Sequence, residues 1–252
     1  MSSPGRRIGK GHLRVDARRA VAKLREYQLP NPLQWTLEVV RGLVGLGAKK
    51  IVVSADADDV WIQWIGPSID AEDLPALLDE LVSPSPVKER RPIRLIAIGI
   101  NTALGLAPRF IDVYRIEAGE AHRVRYTSKV FDAAADDDAP ALDLEPAPSP
   151  LGATGDGGVV HVRRRVDFEM VGRFLGGGVP PEVEVLRAAC EDPLVPVEIQ
   201  GRSYSRETSH RDLLRLPLTD GLEGFVALTD PAFPGQRAGI TFDAAEYGVV
   251  LQ

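Results

Sequence analysis

The sequence predicts an α+β fold, a two-layer α/β sandwich in which helices cover one face of a mixed, mostly antiparallel sheet. Apolar residues follow a helical period in the first fifty residues. Short alternating segments then come in pairs that are joined by polar turns, a pattern typical of antiparallel hairpins. The chain has 252 residues, of which 44% are hydrophobic, so it can build a sizeable core. Helices next to hairpins indicate an α+β layer.

Two helices are predicted before the first strand. Residues 16–29 are amphipathic, with apolar side chains at roughly the 3.6-residue period. In residues 31–47, Asn31 suits the N-cap of a helix that ends at Gly45 or Gly47.

Two hairpins and a later strand are predicted to form the sheet. The first hairpin joins residues 49–55 and 59–66 across the turn sequence DADD. Residues 109–117 and 122–131 form the second hairpin, and residues 158–166 form a strand whose arginines face solvent.

Apolar helical patterns alternate with loops in the rest of the chain. Residues 70–82 predict a helix, and residues 93–107 predict a buried segment that passes from a loop into a helix. Residues 132–157 are acidic and rich in proline and alanine, so we expect a mobile loop. Later patterns predict helices over 167–177 and 180–191 and a strand over 194–201. We expect one domain over 1–200 and a β-rich extension over 201–252, which is the possible start of a middle domain.

Composition excludes several classes of function. The formal net charge of −6 and a pI near 5.3 argue against nucleic-acid binding, although residues 1–25 are basic. No apolar run approaches the length that crosses a bilayer, so we expect no membrane partner and a cytoplasmic location. Cys190 is the only cysteine and lies in an apolar pattern, which predicts a buried side chain. The histidines lack metal-ligand spacing, so no metal site is predicted.

Four short motifs occur in a fixed order. They are EVVRG (38–42), WIGPS (64–68), AIGINTALGLAPRFIDVY (97–114) and GGVVHV (157–162). Their order and spacing resemble the nucleotide-binding domain of the GHKL (Bergerat-fold) superfamily, which includes gyrase, histidine kinases and MutL proteins. The resemblance is greatest to the N-terminal domain of the ninety-kilodalton heat-shock chaperones and covers roughly residues 13–200.

The resemblance implies a nucleotide pocket and a catalytic carboxylate. Glu38 is similar to the residue that activates the attacking water, and it would be catalytic only in an active enzyme. The residues that would line the pocket are Gly42, Trp64, Gly66, Gly99 and Thr102. ATP and Mg²⁺ would be the cofactors if the pocket still binds them.

The chain departs from the family pattern at the positions that carry the chemistry. Gly42 stands where the family has the asparagine that binds Mg²⁺, and glycine offers no side-chain oxygen. Trp64 stands where the family has the aspartate that accepts the adenine amino group. Gly158 replaces the threonine that supports this aspartate, and Ala97 replaces the first glycine of the phosphate loop. The ATP pocket is therefore degenerate.

Three hypotheses follow from this pattern. The first is a non-catalytic GHKL-fold protein, a pseudo-ATPase that acts as an interaction or regulatory module for a protein partner. The second is a divergent, chaperone-like ATPase that uses Glu38. In the third, the pocket has adapted to a different small ligand. Gly42 could also serve only to let another element pack closely on its helix.

Overall fold

The computed structural model describes residues 17–25, 27–83, 88–127, 142–153, 155–165, 179–190, 193–205, 214–217 and 223–226. Within these ranges the α-helices are α1 (Ala17–Leu24), α2 (Trp35–Leu46), α3 (Arg91–Gly105) and α4 (Pro181–Ala189). The strands are β1 (Lys50–Ala55), β2 (Asp59–Ile65), β3 (Phe110–Glu117), β4 (Glu120–Tyr126), β5 (Glu145–Pro146), β6 (Gly157–Arg163), β7 (Val197–Ile199), β8 (Arg202–Tyr204), β9 (Leu214–Pro217) and β10 (Glu223–Val226).

Eight strands form one mixed sheet in the order β5-β4-β3-β6-β2-β1-β7-β8. The pair β1 and β7 is parallel, and the other neighbouring pairs are antiparallel. Strand β6 pairs with β2 on one side and β3 on the other, so it joins the two predicted hairpins. Helices and a mostly antiparallel sheet confirm the predicted α+β class.

The core lies between the sheet and the helices. On β2, Val60, Ile62 and Trp64 are buried in one cluster with residues of α2 and α3, whereas Trp61 and Gln63 are half-buried. Side chains alternate between the two faces of a strand. Trp61 and Trp64 therefore point to opposite faces of the sheet.

The sequence signals at both ends of α2 are confirmed. The Asn31 side chain accepts a hydrogen bond from the Leu33 N–H (3.0 Å) and caps the 3₁₀ turn Pro32–Gln34 that precedes the helix. Gly47 ends the helix with φ of +95°, a left-handed conformation that glycine adopts without a steric penalty.

Two predicted elements are wrong in detail. Residues 70–82 form turns and the 3₁₀ helix Leu77–Leu81 rather than an α-helix, since Pro75 removes a donor in the middle of the segment. Residues 93–107 do not begin as a loop. Residues 93–105 belong to α3, which starts at Arg91 with Pro92 in its first turn.

The prediction that the arginines of residues 158–166 face solvent is also wrong for Arg164. This residue is only 9% exposed, and its Nη2 donates to Glu182 Oε2 on α4 (3.2 Å). The pair links the end of the central strand to a helix.

The predicted acidic loop and the C-terminal extension are described in part. Residues 142–153 include β5, which pairs with β4, while residues 128–141 lie outside the described residues. Strand β8 continues the main sheet past residue 200, and β9 pairs with β10 in a separate two-stranded sheet. The helix predicted over 167–177 and the rest of the extension lie outside the described residues. The domain boundary at residue 200 stays a prediction.

Candidate functional site

Glycines set the distance between α2 and α3. A Cβ atom on Gly42 would lie 2.5 Å from Ile96 Cγ1 on α3. A Cβ atom on Gly99 would lie 2.6 Å from Val39 Cγ2 and 2.7 Å from the Trp35 carbonyl oxygen, both on α2. Carbon atoms in contact are about 3.5–4.0 Å apart, so a larger residue at either position must push the helices apart. Gly42 therefore permits direct helix packing, which is the structural alternative that the sequence left open.

The candidate phosphate-binding segment lies inside α3. The helix begins at Arg91, more than one turn before Ala97, and continues to Gly105. Inside an α-helix each backbone N–H donates to the carbonyl one turn earlier. Phosphate sites use the free N–H groups at a helix N-terminus instead. The N–H groups of Gly99 and Thr102 are thus committed to the helix.

Trp64 stands where the resemblance predicts an adenine-accepting carboxylate. Its side chain is buried, with the residue 2% exposed, and its Nε1 donates to the Pro67 carbonyl oxygen (2.9 Å). Strand pairing places Trp64 opposite Gly158, where a Cβ atom would lie 2.5 Å from Trp64 Cζ2. The indole therefore lies over Gly158, and it leaves no room there for the threonine of the family pattern.

Glu38 lies on α2 one turn before Gly42 and is largely buried. Its Oε1 accepts a hydrogen bond from Arg41 Nη1 at 2.9 Å, an ion pair between residues three apart on the helix. This arginine competes with water for the carboxylate. The Glu38 carboxylate thus lies next to the contact between the helices, and its partner comes from its own helix.

Gly66 and Thr102 complete the sequence-predicted set. Gly66 has φ of +139°, and its N–H donates to the Asp156 carbonyl oxygen (3.0 Å), so it turns the chain at the end of β2. Thr102 is 3% exposed, and its Oγ1 has no hydrogen-bond partner among the described residues. The structure thus gives Gly66 a backbone role and leaves the Thr102 hydroxyl unsatisfied.

These residues do not fit ATP and Mg²⁺ in the manner of the family. Gly42 supplies no oxygen ligand and faces Ile96, and Trp64 presents an indole in place of a carboxylate. In the described ranges no group of three or more His, Cys, Asp or Glu side chains could hold a metal ion.

A second cluster, on the opposite face of the sheet, was missed from the sequence. The rings of Trp61 and His161 stack at 3.5 Å with an interplanar angle of 7°, and Phe110 meets His161 edge-on at 5.3 Å. The guanidinium carbon of Arg125 lies 4.0 Å from the centre of the Phe110 ring. Alternation within each strand could have placed these residues on one face, but the pairing of β6 with both hairpins is not visible locally.

A buried carboxylate organises the arginines of this second cluster. Asp112 is 1% exposed and accepts hydrogen bonds from Arg125 Nε and Nη2, both at 2.7 Å. The hydrogen bond to Asp112 raises the pKa of Arg125. Burial, followed by the Asp112 charge, raises the pKa of Tyr114. The carboxylate is therefore fully engaged in holding β3 to β4.

Comparison with known proteins does not add a relative. No protein-family model matches the chain, and no curated protein matches it. No helix in the described part of the chain is long and apolar enough to span a bilayer. The GHKL resemblance depends on the order of the motifs and stays a prediction.

Proposed function

We propose that this chain is a non-catalytic module with a GHKL-like, heat-shock-chaperone-like fold, and that it acts by binding or regulating a protein partner. The observation that supports the proposal is the buried indole of Trp64 over Gly158, two positions to which the resemblance assigns the contacts with adenine. A protein whose pocket is occupied by its own side chains would act through the outer surface of the domain.

The chemistry at the filled pocket supports this proposal. A hydrogen bond to a charged group contributes about 1.5–3 kcal/mol, so loss of the adenine-accepting carboxylate costs roughly tenfold to over a hundredfold in affinity. The helical backbone of α3 removes a second source of affinity, because its N–H groups are unavailable to phosphate oxygens. The first loss weakens binding of the adenine base, and the second independently weakens binding of the phosphates.

Nucleotide binding tests the proposal directly. Thermal unfolding of the full chain is measured with ATP, ADP and a non-hydrolysable analogue, with and without Mg²⁺. A ligand at a hundredfold its Kd would add about 2.7 kcal/mol of stability, and we expect no shift. Magnesium-dependent hydrolysis that disappears in Glu38→Ala would refute the proposal and support the divergent ATPase.

A different small ligand is the second candidate function, because two of the eight buried side-chain polar atoms that lack partners in the described ranges belong to the packed helices α2 and α3 and are an indole N–H and a hydroxyl. Thr102 Oγ1 and Trp35 Nε1 have no hydrogen-bond partner among the described residues. Buried polar groups are normally hydrogen-bonded, so such atoms can mark the site of a missing polar group. A thermal-shift screen of small polar metabolites, repeated on Thr102→Val, separates this candidate from the first. A stabilising compound whose effect Thr102→Val abolishes would favour it.

A further inference from the structure

A small apolar cluster lies on the face of the sheet that is turned away from the helices. Its four side chains are at most 8% exposed and are separate from the main core: Tyr114, Ile116, Ala121 and Val159. Strand pairing sets Tyr114 opposite Val159 and Ile116 opposite Ala121, so the four form one continuous surface. Trp61 on β2 packs against this surface. We call the four residues the outer-face cluster.

A proline-rich segment of the chain covers the outer-face cluster. Residues 146–153 have the sequence PAPSPLGA and lie between β5 and β6. Ala147 and Ala153 pack against the cluster, whereas Pro146 and Pro148 are exposed. Ser149 and Ala153 have extended backbones, with φ of −61° at both and ψ of 120° and 124°. We call residues 146–153 the strap.

The strap makes few hydrogen bonds to the sheet beneath it. The Ala147 N–H donates to the Ala121 carbonyl oxygen (2.9 Å). The other hydrogen bonds that residues 147–153 make within the described ranges are internal. Ser149 Oγ donates to the Ala153 carbonyl oxygen (2.6 Å), and the Ala153 N–H donates to the Pro150 carbonyl oxygen (3.1 Å). Beyond Ala147, the strap therefore depends on apolar contact to stay on the cluster.

That apolar contact is made by small side chains. Tyr114 and Trp61 offer aromatic surface, and the strap presents the methyl groups of Ala147 and Ala153 to the cluster. Leu151 is 56% exposed, and its φ of +55° is a left-handed conformation that is unfavourable for a residue with a Cβ. A peptide that placed larger apolar groups on the two aromatic side chains would bury more apolar surface than the strap does.

The start of the strap can separate from the sheet without loss of the larger fold. It begins in β5, an edge strand that pairs with β4 over two residues. Arg123 Nη2 donates to Glu145 Oε2 (3.1 Å), and the Glu145 side chain is 62% exposed. Exposed ion pairs contribute little to stability. Displacement of the strap would leave the pairing of β4 with β3 intact.

We propose that the outer-face cluster is a docking site for a proline-rich segment of a partner protein, and that the strap occupies this site until the partner displaces it. The strap itself indicates the chemistry of the partner, because the chain's own proline-rich segment is seated there. Proline-rich segments are extended before they bind, and they dock on surfaces lined by aromatic side chains. This proposal rests on the proposed function as an interaction module, and it names the class of partner and a form of regulation.

The test uses the full chain and a fluorescent peptide that copies residues 144–153, LEPAPSPLGA. Fluorescence anisotropy measures its affinity for the wild type and for Ala147→Asp, in which a charge against the apolar cluster releases the strap. We expect Ala147→Asp to bind at least about tenfold more tightly, because the strap no longer competes for the site. Ala76→Asp is the matched control, since Ala76 is an exposed residue outside the strap, and its affinity should equal that of the wild type.

A second peptide and a second variant test the chemistry of the site. The peptide LEAAASALGA replaces the three prolines by alanine, and it should bind Ala147→Asp more weakly because it is not extended in advance. Adding Trp61→Ala to Ala147→Asp should remove the gain in affinity, since it removes aromatic surface beside the cluster. Circular dichroism checks that each variant is folded.

Hydrogen exchange gives a measurement on the wild type that needs no variant. The Ala147 N–H is protected by its hydrogen bond to the Ala121 carbonyl oxygen. An excess of LEPAPSPLGA should displace the strap and speed the exchange of this amide, whereas LEAAASALGA should have a smaller effect.

Three outcomes would overturn the docking proposal. They are an affinity that Ala147→Asp leaves unchanged, equal binding of the two peptides, and an Ala147 amide whose exchange excess peptide does not alter. If Ala147→Asp does not fold, the exchange of the wild type decides. Concentration-dependent dimerisation of the wild type that the peptide dissolves would overturn the proposal in favour of straps exchanged between two copies. Failure of peptide binding in a protein without ATP hydrolysis removes this proposal only, whereas hydrolysis that disappears in Glu38→Ala would remove the proposed function.

Discussion

Trp64 is one of the two tryptophans buried in the core between the sheet and the helices. Truncation of a large buried aromatic residue removes its apolar contacts and leaves a cavity. We expect Trp64→Ala to lower the free energy of unfolding by about 3–5 kcal/mol in a denaturant titration. Tyr27→Ala, which alters a 76%-exposed residue, should change it by less than about 0.5 kcal/mol. Similar values for the two variants would contradict the burial of the indole.

The Thr102 hydroxyl gives a second prediction for a single residue. A buried polar atom without a partner lowers stability, and valine has nearly the same shape without the hydroxyl. Thr102→Val should therefore leave the melting temperature unchanged or raise it. A loss of more than about 1 kcal/mol would show that the hydroxyl has a partner in the native protein.

The burial of Cys190 should make the stability of the fold depend on pH. The thiol is 1% exposed, and burial raises its pKa to about 12. An unfolded cysteine titrates near about 8.5, so above that pH the unfolded chain loses a proton that the folded chain keeps. Stability should fall as the pH rises from about 8.5 towards the folded pKa, and Cys190→Ala should lack this component. In thiol-labelling experiments at neutral pH, native protein should not react until denaturant is added.

At the scale of elements, the contact between α2 and α3 depends on the absence of two side chains. Alanine normally favours a helix over glycine by about 1 kcal/mol. At Gly42 and Gly99 we expect the opposite sign, because overpacking costs about 1–3 kcal/mol where a Cβ meets the other helix.

Gly155→Ala is the matched control for both variants, since nothing lies within 4 Å of a Cβ at that position. Unfolding by urea should show Gly42→Ala and Gly99→Ala below the wild type and Gly155→Ala close to it. Stabilisation by either helical substitution would mean that the helices are farther apart than described.

The elements that local patterns specify were predicted well, and those that depend on distant contacts were not. Alternation defined β1 and β2, and Asn31 and Gly47 marked the ends of the second helix segment. The start of α3 was missed because the two glycines in residues 93–107 suggested a loop, although proline, here Pro92, is common in the first turn of a helix. At the candidate site, the sequence identified the residues but not their contacts. The contacts of Gly42 with Ile96 and of Trp64 with Gly158 required the packing of separate elements.

For the whole molecule, β6 should be the most protected part of the sheet. It pairs along its full length with β2 and β3, and Val159, Val160 and Val162 on it are at most 4% exposed. Its amide hydrogens should exchange only through global unfolding, with a free energy equal to that from denaturant titration. Amides of β8, which pairs with β7 over three residues, should exchange through smaller openings. Faster exchange in β6 than in β8 would contradict this order.

The central place of β6 also bears on the synthesis of the chain on the ribosome. All four strands of the two hairpins have been synthesised once translation passes Tyr126. Strand β6 begins only at Gly157, and β7 at Val197. Until β6 arrives, the edges of β2 and β3 that it will cover have no partner from the main sheet, and unpaired strand edges are templates for aggregation. Translation adds about 5–20 residues per second, so this exposure lasts for seconds. A nascent chain that stalls before residue 157 would therefore carry two hairpins without the strand that unites them.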